Sequence, residues 1–176
     1  MKYRNISWRE IEACVAKVAR AVRAARFQPD CVVAVLQGGL VPARLLADFF
    51  GAINIYPLRA KAYARLREGG SATPRQEGVR QLARVQIEPF RYSLNHKNVL
   101  LVDDVHDSGQ TLQEIVRRLK RRKPRTLKTA TLYYKRGRGG PPDFYARAAA
   151  ANIWLVFPWE KNEMLKKTHE PAVRRT

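Results

Sequence analysis

The stretch from Val99 to Leu112, VLLVDDVHDSGQTL, constrains the chain more than any other. Four apolar residues, Val99 to Val102, have the length and composition of a buried strand. Two carboxylates follow, Asp103 and Asp104, and then a short polar loop from His106 to Thr111 that contains Gly109. Beyond it, Leu112, Ile115, Val116 and Leu119 recur at helical spacing. The pattern is a strand, an acidic edge, a tight turn and a helix start. A turn that aims backbone N–H groups at one point, next to a helix N-terminus, is an anion site. Ser108 and Thr111 add hydroxyl donors. The paired acids can accept from sugar hydroxyls or hold a metal's water shell. As chemistry alone, the same stretch also reads as a strand–turn–helix unit whose Asp residues serve as caps.

The rest of the chain narrows the class of protein. It has 176 residues, enough for one good core and short for two domains, so 1–176 is expected to be a single domain. Hydrophobic residues make up 45%, which excludes a disordered chain. No apolar run approaches the roughly 20 residues of a membrane span, and MKYRNISWRE lacks a signal-peptide core. Two cysteines, Cys14 and Cys31, form no C-x-x-C pair, and a reduced, cytoplasmic setting is expected. Charge is the outlier: 34 Lys and Arg against 15 Asp and Glu, a formal +19. That excess points to anionic partners, small phosphates or nucleic acid.

Taken in order, Ser7 and Glu10 form a capping box, stapled by Ile6 and Ile11. The apolar stripe Trp8, Ile11, Val15, Val18 and Val22 predicts a core-facing helix from Trp8 to Ala25. Cys31–Leu36 reads as a buried strand, and Gly38 and Gly39 after it let backbone approach a ligand closely. A helix is expected from Leu40 to Phe50, closed by Gly51. A third strand is expected over 52–58, with Arg59, Lys61 and Tyr63 just beyond it. Residues 64–83 break the periodicity with Gly69, Gly70, Pro74 and Gly78 among several arginines, as a lid or long loop does. Strands are expected at Arg84–Pro89, Thr126–Lys135 and Asn152–Phe157. The run Lys120 to Lys123 at the end of the central helix is explained by the helix dipole. Alternating strands and helices predict an α/β fold with a mostly parallel sheet.

Three strings resemble one family. The central one matches the phosphoribosyl-pyrophosphate (PRPP) motif of type I phosphoribosyltransferases at Asp103, Asp104, Asp107, Ser108, Gly109 and Thr111, with Ser108 where Thr is more usual. GGLVPAR, from Gly38, resembles the pyrophosphate loop of the 6-oxopurine members, although Gln37 stands where a basic residue is common. WLVFPWE, from Trp154, resembles the segment that closes the base pocket in xanthine–guanine-type enzymes.

The resemblance implies a type I phosphoribosyltransferase fold with a small hood from terminal segments, residues 152–160 among them. It implies purine salvage: transfer of the ribosyl 5-phosphate of PRPP to hypoxanthine or guanine, with xanthine a further candidate, releasing pyrophosphate. By analogy Asp107 handles the base N7 proton and Lys135 polarises O6. PRPP would be held by Asp103, Asp104, Asp107, Ser108, Gly109, Gln110, Thr111, Gly38, Gly39 and Lys61. The base would meet Lys135, Trp154 and the Leu155 backbone. Mg²⁺ would be held at Asp103, Asp104 and Glu160. Residues 64–83 would be the flexible active-site loop. The family implies a homo-oligomer, dimer or tetramer, and requires no nucleic acid. Two alternatives stand beside this reading. One is a non-catalytic regulator of the same fold that binds nucleotide and nucleic acid. The other is an enzyme of the same fold for another base, such as adenine.

Overall fold

The computed structural model describes residues 2–51, 53–63, 84–136 and 140–160, with the backbone alone at 61–63 and 84. The expected loop 64–83 and the tail from 161 lie outside them. The order is β1 (Lys2–Asn5), α1 (Trp8–Ala24), β2 (Cys31–Leu36), α2 (Leu40–Ala47), β3 (Asn54–Tyr63), β4 (Arg84–Ile87), β5 (Asn98–His106), α3 (Gln110–Lys120), β6 (Thr126–Arg136), β7 (Phe144–Ala150) and β8 (Ile153–Val156), with short 3-10 turns at Asp48–Phe50 and Pro158–Glu160.

Six strands form one sheet in the order β4-β3-β2-β5-β6-β7. Every pairing in it is parallel except β3 with β4. Strands buried on both faces send alternate residues to opposite sides. Val32, Ala34, Leu100 and Val102 pack with the apolar stripe of α1 and with Ala43 and Leu46 of α2. Val33, Val35, Val99 and Leu101 pack with Leu112, Ile115 and Leu119 of α3. The result is helices on both faces of a mostly parallel sheet, as the sequence predicts.

Helix α1 starts where its cap predicts, with the Glu10 N–H donating to Ser7 Oγ at 3.2 Å. The reciprocal half of the box is absent. Glu10 instead accepts from the Tyr133 hydroxyl at 2.6 Å and from Arg147 at 3.0 Å. Those donors include a charged one, which a backbone N–H cannot match. Ile11, Val15, Val18 and Val22 are buried, but Trp8 is 53% exposed and leans on Trp159 at 5.8 Å. The stripe is core without its first member.

The boundaries of α2, β3 and β5 differ most from expectation. Helix α2 stops at Ala47 and passes through a 3-10 turn to Gly51, whose φ of 82° reverses the chain. Strand β3 begins at Asn54 and runs to Tyr63, because β4 pairs with its last four residues. Lys61 therefore sits inside a strand, opposite Gln86. Strand β5 continues past Val102 to His106, paired with β6 as far as Tyr134, so Asp103 and Asp104 lie within the strand near its carboxyl end and do not follow it. Strands β1 and β7 have no clear sequence signal. β1 is exposed throughout, and β7 is rich in Ala, a weak strand former. β1 pairs in parallel with β8 as a separate two-stranded sheet, with Tyr3 opposite Trp154 and Arg4 opposite Leu155. That small sheet is the hood.

Candidate active site

Because β2, β3, β5, β6 and β7 are parallel, their carboxyl ends share one edge, which is where open α/β sheets place ligands. The Gly38–Gly39 turn follows β2. Asp103 and Asp104 and the loop after them come from β5. Lys135 comes from the end of β6. Two of the three sequence strings, together with Lys135, thus converge through the topology of the six-stranded sheet, while WLVFPWE comes from the separate β1–β8 pair.

The two glycines are there for close approach. A Cβ on Gly39 would lie 2.4 Å from the Val102 carbonyl oxygen and 2.7 Å from that of Val35, so backbone blocks any side chain. A Cβ on Gly38 would lie 2.1 Å from Asp104 Oδ2. The turn is therefore pressed against the second acid of β5. The Gly39 N–H donates to Val35 O at 2.8 Å and its carbonyl accepts from Ala43 N–H at 3.0 Å, which ties the turn into α2.

The residues expected to bind phosphate, Asp107 to Thr111, form a compact turn. Asp107 and Ser108 are exposed, Gly109 is buried, and Gln110 and Thr111 are half-buried. Gly109 holds φ 79° at the N-cap of α3, and no side chain caps that helix. The first intrahelical bond runs from Gln113 N–H to Gly109 O at 2.9 Å. The amides before it are left for an external acceptor, as at any helix start. Beneath the loop lies His106, buried against Tyr134, and a Cβ on Gly109 would meet its Nε2 at 2.7 Å. Burial pushes the His106 pKa below its ordinary value, so the ring is a neutral floor for the loop. The sequence places this histidine in the loop; the structure makes it part of the core.

Asp104 is buried and Asp103 half-buried. Oδ1 of Asp103 accepts from the Asp104 N–H at 3.0 Å. Burial, and then the neighbouring Asp104 charge, push Asp103 well up. Burial, and then the charge of Glu160, push Asp104 up to about 7. Two desolvated carboxylates side by side favour a cation or hydroxyl donors as company. Glu160 Oε2 is engaged by the Phe157 N–H at 3.2 Å. Among the described residues no group of three or more His, Cys, Asp or Glu is arranged to hold a metal ion, so Asp103, Asp104 and Glu160 do not form a cage.

Lys135, Asp107 and Trp154 come together. Lys135 is 5% exposed, and its Nζ donates to Asp107 Oδ2 at 3.1 Å. The same Nζ lies 5.6 Å from the centre of the Trp154 ring. Trp154 is 39% exposed, while Leu155 beside it is buried. A cation, an acceptor and an open indole face thus border one space. Beyond Leu155, Phe157 and Trp159 stack on each other at 4.9 Å and 7°, with Phe157 against Tyr133 and Trp159 against Trp8. Nothing in the strand pattern marks that pair as structural; the aromatic repeat in WLVFPWE is the signal available. Lys61 lies two residues beyond Arg59, which is level with Leu36 at the end of β2.

Residues 7–162 match the family model described as a phosphoribosyl transferase domain. A xanthine-guanine phosphoribosyltransferase of a Ruegeria species is 30% identical over 162 residues, covering 89% of this chain and 84% of that protein. The hypoxanthine-guanine phosphoribosyltransferase of Schizosaccharomyces pombe is 26% identical, covering 78% and 80%. The crystal structure of a purine phosphoribosyltransferase from Pyrococcus horikoshii superposes with a TM-score of 0.73 at 26% identity, covering 99% of this chain and all of that one.

Proposed function

The chain belongs to the phosphoribosyltransferase family, and from that premise we propose the reaction its site performs: transfer of the 5-phosphoribosyl group of PRPP to a ring nitrogen of a 6-oxopurine. The bond from ribose C1′ to the pyrophosphate oxygen breaks, the bond from C1′ to the base nitrogen forms, and pyrophosphate leaves. This is purine salvage, and the relatives are named hypoxanthine-guanine and xanthine-guanine phosphoribosyltransferases. The observation that carries the base assignment is the meeting of Lys135, Asp107 and Trp154.

Each residue has a task in this reading. The N–H groups and hydroxyls of Asp107 to Thr111 receive the 5′-phosphate, which is why the loop must be tight and its helix uncapped. Asp103 and Asp104 accept from the ribose hydroxyls and favour positive charge as it develops on the sugar. Gly38 and Gly39 let pyrophosphate approach backbone, and Lys61, near the same edge on β3, supplies the charge that Gln37 does not. Trp154 stacks on the base and the Leu155 backbone meets its exocyclic edge. Lys135 donates to O6, while Asp107, its partner, takes the proton at N7. The donor set at the acids is oxygen only and does not form a cage, which fits Mg²⁺ retained chiefly through substrate phosphates and water. That ion would supply charge neutralisation on the departing pyrophosphate. Glu160 is assigned to holding the 157–160 turn.

A cytoplasmic location fits two buried, free cysteines; burial pushes Cys31 up to about 11, which keeps its thiol unreactive. No described helix is long and apolar enough to cross a membrane. A homo-oligomer, dimer or tetramer, belongs to the same proposal. The deciding experiment is nucleotide formation from PRPP and Mg²⁺ with hypoxanthine, guanine, xanthine, adenine and uracil. Turnover of the 6-oxopurines is expected. Adenine as the best substrate, or no turnover of any base, would overturn the reading.

A further inference from the structure

The reaction site uses few of the cations that give the chain its +19. Two segments, 89–98 and 115–128, contain no Asp or Glu at all. The fold brings them together at the amino ends of β5 and β6, the edge of the sheet opposite the active site. The His96 N–H donates to Lys123 O at 3.0 Å and the Arg125 N–H to Lys97 O at 2.9 Å. The Arg122 guanidinium donates to the Phe90 carbonyl. Cations in the last turn of α3 complement its dipole, but that effect fades within one turn. Lys123 and Arg125 lie past it, and Arg91 and Lys97 are on another segment. Among the described residues none of these five cations forms an ion pair with a carboxylate.

An aromatic ring stands in this band. Tyr92 is 42% exposed, stacked on Tyr56 at 4.4 Å and 16°, with Phe90 edge-on at 5.4 Å. Lys97 Nζ lies 5.6 Å from the centre of the Tyr56 ring and 3.4 Å from its hydroxyl. The ring is fixed in orientation and still open to solvent. A fixed, open ring among unpaired cations suits a strand of unpaired bases, whose flat faces stack on aromatics while its phosphates meet the cations. A duplex hides its base faces, and a simple polyanion has none.

We propose that this surface, around Tyr92, Lys97, Arg122, Lys123 and Arg125, binds single-stranded nucleic acid, separately from the catalytic site. The test is fluorescence anisotropy of a labelled single-stranded 20-mer and of the matching duplex, from 50 to 200 mM salt, with the full chain. Tighter binding of the single strand is expected, with affinity falling steeply with salt. Tyr92→Ala should weaken the single strand by about 5- to 150-fold and leave the duplex within twofold, and Tyr92→Phe should retain binding. Lys97→Gln with Lys123→Gln and Arg125→Gln should flatten the salt slope by about 2, at about 0.7 per lost phosphate contact. Phosphoribosyl transfer should be unchanged in all of these, and melting curves establish that each is folded. Equal affinity for duplex and single strand, insensitivity to Tyr92→Ala, an unchanged slope in the triple variant, or no binding at 50 mM salt would each overturn the proposal.

Discussion

Lys135 is a buried cation with one carboxylate and one indole for company, and its value lies in what it cannot do. It has donors and no acceptor. Trp154 is complementary in the other sense, since a stacking surface accepts any purine. Trp154→Ala should therefore raise KM for all purines together, by about 5- to 150-fold for one lost stack, without changing their order. Steady-state kinetics on two bases checks this, and a selective loss for one base would contradict it. Thr111 sits in the uncapped first turn of α3. Thr111→Val removes one hydroxyl from the phosphate loop. PRPP affinity should fall about 10- to 150-fold, since hydrogen bonds to charged groups contribute about 1.5–3 kcal/mol. Calorimetry with PRPP measures it, and unchanged affinity would remove Thr111 from the anchor.

At the scale of elements, the two glycines after β2 make separable claims. Gly39→Ala drives a methyl into two carbonyl oxygens and should cost about 1–3 kcal/mol of stability, as overpacking does. Gly38→Ala meets the Asp104 side chain first, not backbone, so it should disturb PRPP kinetics more than melting temperature. Equal stability losses would contradict that division. Asp143 anchors the start of β7 to β6: its Oδ2 accepts from Thr129 N–H and Oγ1 at 2.8 Å each, and Lys128 donates to Oδ1 at 2.8 Å. Burial raises its pKa, but the bonds from Lys128 and Thr129 outweigh burial and hold it below the ordinary range. A lowered folded pKa gives stability that is present above the unfolded value, about 3.9, and is lost as pH falls through the folded one. Asp143→Ala should cost about 1.5–3 kcal/mol at pH 7, and its deficit should shrink below about pH 4. A constant deficit down to pH 2 would contradict the charge argument.

Periodicity made the central elements legible. β2 and the body of α1 fall where apolar spacing places them, and the phosphate loop follows from its glycine and hydroxyls. What escaped was set by partners distant in sequence. β3 and β5 are longer than their apolar runs because β4 and β6 pair with their polar ends. β1 exists only because β8 offers it an edge. Glu10 left its capping box for Tyr133 and Arg147, donors more than a hundred residues away. At the site, the residue types of Asp107, Lys135 and Trp154 were readable one by one. Their meeting was readable only through the family resemblance, since no local pattern states a distance.

On the scale of the whole molecule, the parallel sheet separates two kinds of chemistry. Its carboxyl edge carries Asp103 and Asp104, the Asp107–Thr111 turn and Lys135; its amino edge carries two basic segments, 89–98 and 115–128, with an open tyrosine, and Asp30 beside Asn98. On the proposed reading, the base is chosen at the first edge by the Lys135 donor, held by Asp107 and roofed by Trp154. A buried donor left unpaired by the wrong substituent discriminates by about 10⁴-fold or more. The most direct measurement is the ratio of kcat/KM for hypoxanthine to that for adenine, in the wild-type protein and in Lys135→Met. A large ratio is expected, collapsing towards unity in the variant through loss of hypoxanthine turnover. A ratio that survives the substitution unchanged, or that favours adenine from the start, would contradict it.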